Sequence, residues 1–303
     1  MTTLGALLTL ESLGGRRFVS GAHQANRRGS CYGGQLLGQA LRAAMSTVRG
    51  KRPLALQVSF EAAARLEPIA YAVEPVRDGR TLATRHVTAR QGEVTVLLAT
   101  ISFGAAAHGW EHACSHDEDA CSHDEVPAAP DRLPSLEELA RSMGTAVSAH
   151  AQGRLRTYPQ VEVRPVDAER HLLLRSGPPE SRFWTRAVSD LPLPSDMHAP
   201  ATAYLSDYLL ANAALIPHAH EMPDEHLFVA SLTHSLWFHA ESDPTRWLYS
   251  KTQSPWAGEG RAFCWGHLFS EGGALIASVA QEMLIRRRRA QNDLGMPSKC
   301  SAT

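Results

Sequence analysis

Three neutral polar residues lie among apolar residues towards the end of the chain, and their types suit the binding of a water molecule. Thr233 lies in the run ASLTHSLWFH, Ser254 in YSKTQSPWA and Gln281 in GALIASVAQEMLIR. A hydroxyl or amide on an apolar strand must find hydrogen-bond partners or hold a ligand, because burying it unpaired is unfavourable. We therefore predict a polar site built on these three segments.

Each of the three segments is predicted to be a strand. β-branched and aromatic residues dominate them, and Ser-Pro, Gly-Glu-Gly and Glu-Gly-Gly mark the joins. In a regular strand neighbouring side chains point to opposite faces, so His234 is the poorer partner for Thr233. We favour a structural role over a catalytic one for His234 and His239.

A helix with a broad apolar face is predicted near the start of the chain. Apolar residues at 36, 37, 40, 41, 44, 45 and 48 follow a helical period, and Gly33 and Gly34 precede them. Two glycines allow close approach of a ligand, and the N–H groups of a first helical turn can hold an oxyanion. Close packing against another helix explains the two glycines equally well.

Short strands and one further helix are predicted on either side of residues 105–134. The expected strands are 55–60, 69–77, 81–88, 94–103, 160–165 and 182–187, and the second helix spans 202–216 and ends before Pro217. Each helix needs a sheet face to bury its apolar stripe. We predict an α+β chain with a helix-on-sheet unit at 1–104, a linker at 105–134 and a second unit at 135–303.

The linker contains a tandem repeat, ACSHDED followed by ACSHDEV, which places Cys114, His116, Cys121 and His123 close together. One residue between Cys and His hinders both side chains from reaching one ion in tetrahedral geometry. We therefore interpret the repeat as a duplication in a solvated linker and expect no metal.

The amino-acid composition limits the kinds of partner that the chain is expected to bind. The 303 residues are 44% hydrophobic, with 30 basic and 31 acidic side chains, so no net field favours nucleic acid or an acidic membrane. Five cysteines, an odd number, indicate reduced intracellular thiols. The first residues lack the basic region of a signal peptide, and no apolar run of about 18 residues occurs. We expect a cytoplasmic protein.

Several segments resemble one family. THSLWFH, QSPWA and AQEMLIR resemble the DHSMWFH, ESPxA and AQEGxxR segments of the type II acyl-CoA thioesterases, the TesB-like group, and GGQLLGQALRAA and PIAYAVEPVRDGR resemble its N-terminal unit. The resemblance implies a double hotdog fold, with two antiparallel sheets each wrapped around a long helix. It also implies an acyl-CoA or acyl-carrier substrate, no cofactor, and a homodimer or larger assembly.

The resemblance further implies a catalytic set. The family's Asp, hydroxyl and Gln fall on Thr233, Ser254 and Gln281, so a threonine replaces the aspartate. A neutral hydroxyl does not titrate near physiological pH and is a poor general base. The residues expected to bind substrate are Gly33, Gly34, Gln57, Asp207, Trp237 and Trp256, of which Gln57 is the match to a family histidine and the tryptophans could instead be core residues.

Three functions stay open at this point. The chain could hydrolyse an acyl thioester with another carboxylate, Asp207 or Glu61, in place of the missing one. It could use an acyl-binding pocket for a non-hydrolytic step such as dehydration, isomerisation or cyclisation. It could also be an inactive acyl-binding or assembly subunit.

Overall fold

The computed structural model describes residues 2–114, 128–143, 158–188, 192–221 and 227–287. Of the Cys/His repeat, only the start falls inside these ranges: Cys114 is exposed, whereas His116, Cys121 and His123 lie outside the described residues. Within the ranges, no three His, Cys, Asp or Glu side chains are placed to hold a metal ion. No helix in them is both long and apolar enough to cross a membrane.

The first half of the chain, up to residue 104, contains a long helix and several strands. In order its elements are α1 (Leu4–Leu8), β1 (Leu10–Gly14), β2 (Arg17–Ser20), α2 (Gly33–Met45), β3 (Arg52–Phe60), β4 (Ala70–Asp78), β5 (Leu82–Gln91) and β6 (Val94–Gly104). The predicted helix and four strands are confirmed here. The β1–β2 hairpin is an addition that the sequence patterns did not indicate.

The second half has the same plan. Its elements are a 3-10 turn (Pro130–Arg132), α3 (Leu136–Met143), β7 (Val161–Pro165), α4 (Ala168–His171), β8 (Glu180–Ala187), a 3-10 turn (Ser195–Met197), α5 (His198–Ser206), α6 (Asn212–Leu215), a 3-10 turn (Ile216–Glu221), β9 (Leu227–Phe238), β10 (Leu248–Gly258), β11 (Arg261–Ser270) and β12 (Leu275–Arg287). We predicted three strands after residue 227, and the structure has four, because β11 pairs between β10 and β12.

All twelve strands of the described ranges form one antiparallel sheet in the order β1-β2-β4-β5-β6-β3-β9-β12-β11-β10-β8-β7. The two halves repeat each other, since β2-β4-β5-β6-β3 and β8-β10-β11-β12-β9 have the same order, with a helix before β3 in the first half and before β9 in the second. The α+β prediction is confirmed. The two expected sheets are continuous, however, because β3 pairs with β9 from Ala55↔Trp237 to Ser59↔Thr233. The unit boundaries at 104 and 135 stay a prediction.

The helices α2 and α5 pack antiparallel on the inner face of the sheet. Their contacts are spaced by one turn: Gly34 meets the Tyr204 carbonyl and Gly38 meets the Pro200 carbonyl, and Arg42 then pairs at 2.7 Å with Asp196 in the 3-10 turn before α5. Glycines four residues apart lie on one helix face, so they let the two backbones approach closely. The start of α2 therefore lies against the end of α5.

The second predicted helix, 202–216, is wrong in its bounds. The structure ends α5 at Ser206 and begins α6 at Asn212. Between them Leu209 has a φ of 60°, a left-handed conformation that interrupts the helix. The interruption leaves Asp207 as the C-terminal cap of α5, beside the first turn of α2.

Two buried tyrosines provide a test of the core. The Tyr71 hydroxyl donates to Gln39 Oε1 at 2.6 Å, whereas the buried Tyr204 hydroxyl has no hydrogen-bond partner among the described residues. Removing one partner of a buried pair costs about 1–3 kcal/mol, while removing an unpaired group costs nothing comparable. We expect Tyr71→Phe to lower the free energy of unfolding by that amount and Tyr204→Phe to leave it unchanged or raise it. Urea denaturation measures both, and equal losses would contradict the assignment.

Candidate active site

A buried carboxylate lies where α5 ends and α2 begins. The Asp207 side chain is 7% exposed, and the backbone N–H of Gly34 donates a hydrogen bond to it. A Cβ atom at Gly33 would lie 2.7 Å from Asp207 Oδ2, so the glycine leaves room for the carboxylate. The positive end of the α2 dipole favours a negative charge at this position.

Burial dominates the electrostatics of this carboxyl group. It raises the pKa of Asp207 to about 7, and the hydrogen bonds from the Gly34 N–H and the Gln281 amide oppose the rise. A carboxyl group with a pKa near neutrality can take up and release a proton at physiological pH, which is what a general base needs.

Gln281 connects three neighbouring groups through its amide. Its Nε2 donates to Ser231 Oγ at 2.6 Å and to the Asp207 carboxylate, and its Oε1 lies 2.8 Å from His234 Nδ1. The side chain is 4% exposed. Asp207, Ser231 and Gln281 thus form a polar cluster of a carboxylate, a hydroxyl and an amide.

His234 lies behind this cluster and is fully buried. Its Nε2 lies 2.9 Å from Ser206 Oγ, and its Nδ1 lies 4.0 Å from Asp207 Oδ1. Burial lowers the pKa of His234 to about 4, and the Gln281 hydrogen bond opposes this change. The imidazole is therefore neutral at physiological pH.

An irregularity in β9 determines which hydroxyl enters the cluster. The pairing with β12 runs Gln281↔His234 and Glu282↔Thr233, and then skips Leu232 to Met283↔Ser231. One extra residue in a strand shifts the alternation of side chains. Ser231 consequently shares the inner face with His234 and Gln281.

Thr233, the residue on which the sequence-based site depended, lies elsewhere. It is exposed on the outer face of the sheet, and its Oγ1 accepts a hydrogen bond from the Glu282 N–H at 3.4 Å. The predicted grouping of Thr233 with Gln281 is wrong because Gln281 points inward from the neighbouring strand. The expectation that His234 and Thr233 face opposite ways is confirmed.

Ser254 is buried on the inner face, beside Cys264, but its hydroxyl hydrogen-bonds locally. It lies 2.8 Å from the Phe263 carbonyl oxygen and 3.2 Å from that of Trp256. These contacts close the bulge between Gln253 and Trp256, where the β10–β11 register shifts. This agrees with the alternative that Ser254 shapes the chain locally.

The remaining predicted residues divide between the two faces of the sheet. Gly33, Gly34 and Asp207 lie together at the helix contact. Four others lie on the outer face: Gln57, Trp237, Trp256 and Glu61. Gln57 is exposed, and the two tryptophans are 38% and 44% exposed. The Arg261 guanidinium lies 5.4 Å from the Trp256 ring, and Glu61 accepts a hydrogen bond from Ser59. The structure therefore does not bring these four side chains to Asp207. The sequence patterns did not indicate Ser231 or Ser206. The available sign of Ser231 was that a second hydroxyl residue lies two positions before Thr233 in the same strand.

The repeated strand order and the antiparallel helices define a double hotdog protein with a carboxylate at the helix contact. Two models of known families match the chain, "Acyl-CoA thioesterase N-terminal domain" at residues 22–104 and "Acyl-CoA thioesterase C-terminal domain" at residues 124–285. The chain belongs to the acyl-CoA thioesterase family.

Individual proteins that are similar to this chain are consistent with its membership of this family. Acyl-coenzyme A thioesterase 8 of Homo sapiens is 31% identical over 84% of this chain and 80% of its own. The crystal structure of the acyl-CoA thioesterase II TesB2 from Mycobacterium marinum has a TM-score of 0.73 at 30% identity and covers 94% of this chain and 98% of that one. A protein of unknown function with a hot dog fold from Alicyclobacillus acidocaldarius shares the fold, with a TM-score of 0.70 at 24% identity over 93% and 97%.

Proposed function

We propose that this chain hydrolyses acyl-CoA thioesters, with Asp207 as the general base and Ser231 and Gln281 as the groups that hold the attacking water. The observation that carries the proposal is the buried Asp207 carboxyl group, whose pKa is about 7 and which shares the Gln281 amide with Ser231. A carboxylate, a hydroxyl and an amide together offer one water both acceptors and donors.

The chemistry follows from these groups. The water oxygen attacks the thioester carbonyl carbon while its proton passes to Asp207. The carbon–sulfur bond of the tetrahedral intermediate then breaks, and Asp207 returns the proton to the departing thiolate. The products are a carboxylic acid and the free thiol, and Asp207 is again ionised.

The first turn of α2 suits the negative charge that develops on the carbonyl oxygen. Unpaired N–H groups and the helix dipole make a helix N-terminus favourable for an anion. Gly33 leaves room for the Asp207 carboxylate and Gly34 for the Tyr204 carbonyl, so this turn lies directly beside the proposed base. We assign the oxyanion to this end of α2.

The non-hydrolytic and inactive alternatives lose their main support in this arrangement. Both depended on the absence of a carboxylate at the position of Thr233. Asp207, one of the two substitutes considered from the sequence, lies in the polar cluster, whereas Glu61 lies on the outer face. Cytoplasmic location and assembly into a homodimer or larger particle stay predictions.

A chain-length series tests the proposal. Purified protein is incubated with short-, medium- and long-chain acyl-CoA, and the released thiol is measured with a chromogenic disulfide. We expect saturable release above the uncatalysed rate with at least one chain length. Release no faster than buffer across the series would contradict hydrolysis of acyl-CoA, and product analysis by mass spectrometry would then reveal a dehydrated or isomerised acyl group.

Two of the hydroxyls of β9 supply a matched pair of variants. Ser231→Ala removes a group that hydrogen-bonds to Gln281, and we expect kcat to fall about 10–100-fold, in line with the loss of one interaction of about 1.4–2.7 kcal/mol in the transition state. Thr233→Ala removes a hydroxyl from the outer face, and kcat should stay within about 2-fold. Steady-state kinetics measure both effects. A larger loss of kcat in Thr233→Ala than in Ser231→Ala would contradict the proposal and favour a site on the outer face.

A further inference from the structure

We infer that His234 is a positioning residue that holds the Gln281 amide with its Nε2 towards Asp207 and Ser231. The inference rests on the proposed function. Three observations support it. His234 Nδ1 lies 2.8 Å from Gln281 Oε1, its Nε2 lies 2.9 Å from Ser206 Oγ, and the ring is completely buried.

The amide of Gln281 has two ends of similar shape and opposite hydrogen-bonding character. With Nε2 towards Asp207, the amide donates to the carboxylate and to Ser231. In the reverse orientation Oε1 would face the ionised carboxylate, and two acceptors would repel each other. Only the first orientation presents donors to Asp207, and it requires a donor at His234 to satisfy Oε1.

The requirement specifies the tautomer of His234. Gln281 Oε1 can only accept, so the ring proton must lie on Nδ1. A neutral ring then has an acceptor at Nε2, and the Ser206 hydroxyl, which lies 2.9 Å from Nε2 and 2.8 Å from the Ala203 carbonyl oxygen, directs its single proton to the ring in this tautomer. Ser206 thus holds the ring, the ring holds the amide, and the amide faces the base.

The position of His234 matters most when Asp207 is protonated. A neutral carboxyl group can itself donate a proton, and a free Gln281 amide could then rotate to accept it. The Nδ1–H of His234 keeps Oε1 engaged, so the amide does not have to rotate back before the next turnover.

Few other groups titrate near Asp207 in the described part of the chain. The backbone of Gly34 from α2 and the Gln281 amide from β12 do not titrate, and burial holds His234 of β9 neutral. Tyr32, Tyr158 and Tyr204 also lie close enough to interact electrostatically, and burial raises the pKa of each of these hydroxyls. The acidic limb of a pH profile therefore reports on Asp207.

Two substitutions separate the two ring nitrogens. The Asn side-chain amide reaches the position of Nδ1, and the Gln side-chain amide reaches that of Nε2, so His234→Asn keeps a partner for Gln281 and His234→Gln keeps only the partner for Ser206. We expect His234→Gln to lower kcat about 10–100-fold with KM within about 3-fold. Its acidic limb should move to higher pH, because the donation from Gln281 lowers the pKa of Asp207. His234→Asn should stay within about 5-fold of the unsubstituted enzyme.

A spectroscopic measurement on the full chain tests the same inference without turnover. In protein labelled with ¹⁵N-histidine, the ¹⁵N shifts of His234, assigned by their loss in His234→Asn, should report a neutral ring protonated at Nδ1 at pH 8. Protonation at Nε2 would overturn the inference. So would an unchanged acidic limb in folded His234→Gln, or equal losses in the Asn and Gln variants without a shift of the limb. Absence of thiol release by the unsubstituted protein would instead contradict the proposed function.

Discussion

Asp207→Asn should lower kcat about 10²–10⁴-fold, the usual contribution of a general base. The amide has nearly the shape of the carboxyl group and keeps an acceptor for the Gly34 N–H, so the contact between α2 and α5 is retained. It cannot take the proton of the attacking water. The measurement is steady-state thiol release at pH 8, where the unsubstituted carboxyl group is ionised.

The same substitution should stabilise the fold at pH 8. Burial raises the folded-state pKa of Asp207 to about 7 from the ordinary 3.8, so between these values the folded protein binds more protons than the unfolded one. Stability therefore falls as the pH rises from about 4 to 7, and the neutral amide avoids this loss. Thermal unfolding should show the Asp207→Asn variant melting above the unsubstituted protein at pH 8, with a smaller difference at pH 5.

Asp196→Asn is the matched control. Asp196 pairs with Arg42 at 2.7 Å at the other end of the same helix contact, and its side chain is 56% exposed. Exposed ion pairs contribute little, so kcat and stability should change only slightly. If Asp207→Asn retained more than about a tenth of kcat, Asp207 would not be the base.

Gly34→Ala should separate the two helices. A Cβ atom at this position would lie 2.3 Å from the Tyr204 carbonyl oxygen and 2.5 Å from Tyr32 Cε1. A backbone oxygen within a helix cannot move away alone, so overpacking of this kind costs about 1–3 kcal/mol or more, against about 1 kcal/mol gained in helix propensity. Because the Gly34 N–H donates to Asp207, the displacement should also lower kcat at least about 10-fold.

Gly38→Ala separates the packing effect from the catalytic one. One turn further along α2, its Cβ atom would lie 2.5 Å from Leu8 Cδ2 and 2.7 Å from the Pro200 carbonyl oxygen. We expect a comparable loss of stability and a smaller loss of kcat, as this turn lies away from Asp207. Unfolding in urea and kinetics on the folded fraction compare the two, and equal losses of kcat would show that Gly34 acts only through packing.

Part of this fold could be predicted because local patterns specify it. The apolar period after Gly33 and Gly34 predicts α2, and the alternating segments before Gly104 predict β3 to β6. The inward orientation of the Gln281 side chain also follows from the sequence, because its neighbours along the strand are apolar. These features depend on residues a few positions apart, and tertiary contacts reinforce them.

The choice between Ser231 and Thr233 could not be predicted in this way. A regular strand places both on the same face, opposite His234, and the skipped residue Leu232 reverses this for Ser231 alone. The bulge arises in the pairing of β9 with β12, and a single strand carries no pattern that specifies its partner's register. The regular alternation of a strand therefore favours Thr233, whereas the structure brings Ser231 to Gln281.

Asp207 presented a different difficulty. Its segment has a helical pattern, which predicts a side chain within a continuous helix at 202–216. The interruption at Leu209, with its φ of 60°, ends α5 before Asp207 and directs the carboxylate to the start of α2. A leucine in a left-handed conformation is imposed by surrounding packing, so the local sequence carries no indication of it.

The pH dependence of kcat/KM tests the role of Asp207 most directly. Because the base acts in its ionised form, kcat/KM of the unsubstituted enzyme should rise with pH through a single ionisation near the pKa of Asp207, about 7. The residual activity of Asp207→Asn should lack this limb. An identical limb in Asp207→Asn, or a profile of the unsubstituted enzyme that is flat from about pH 5 to 9, would contradict the assignment of Asp207 as the base.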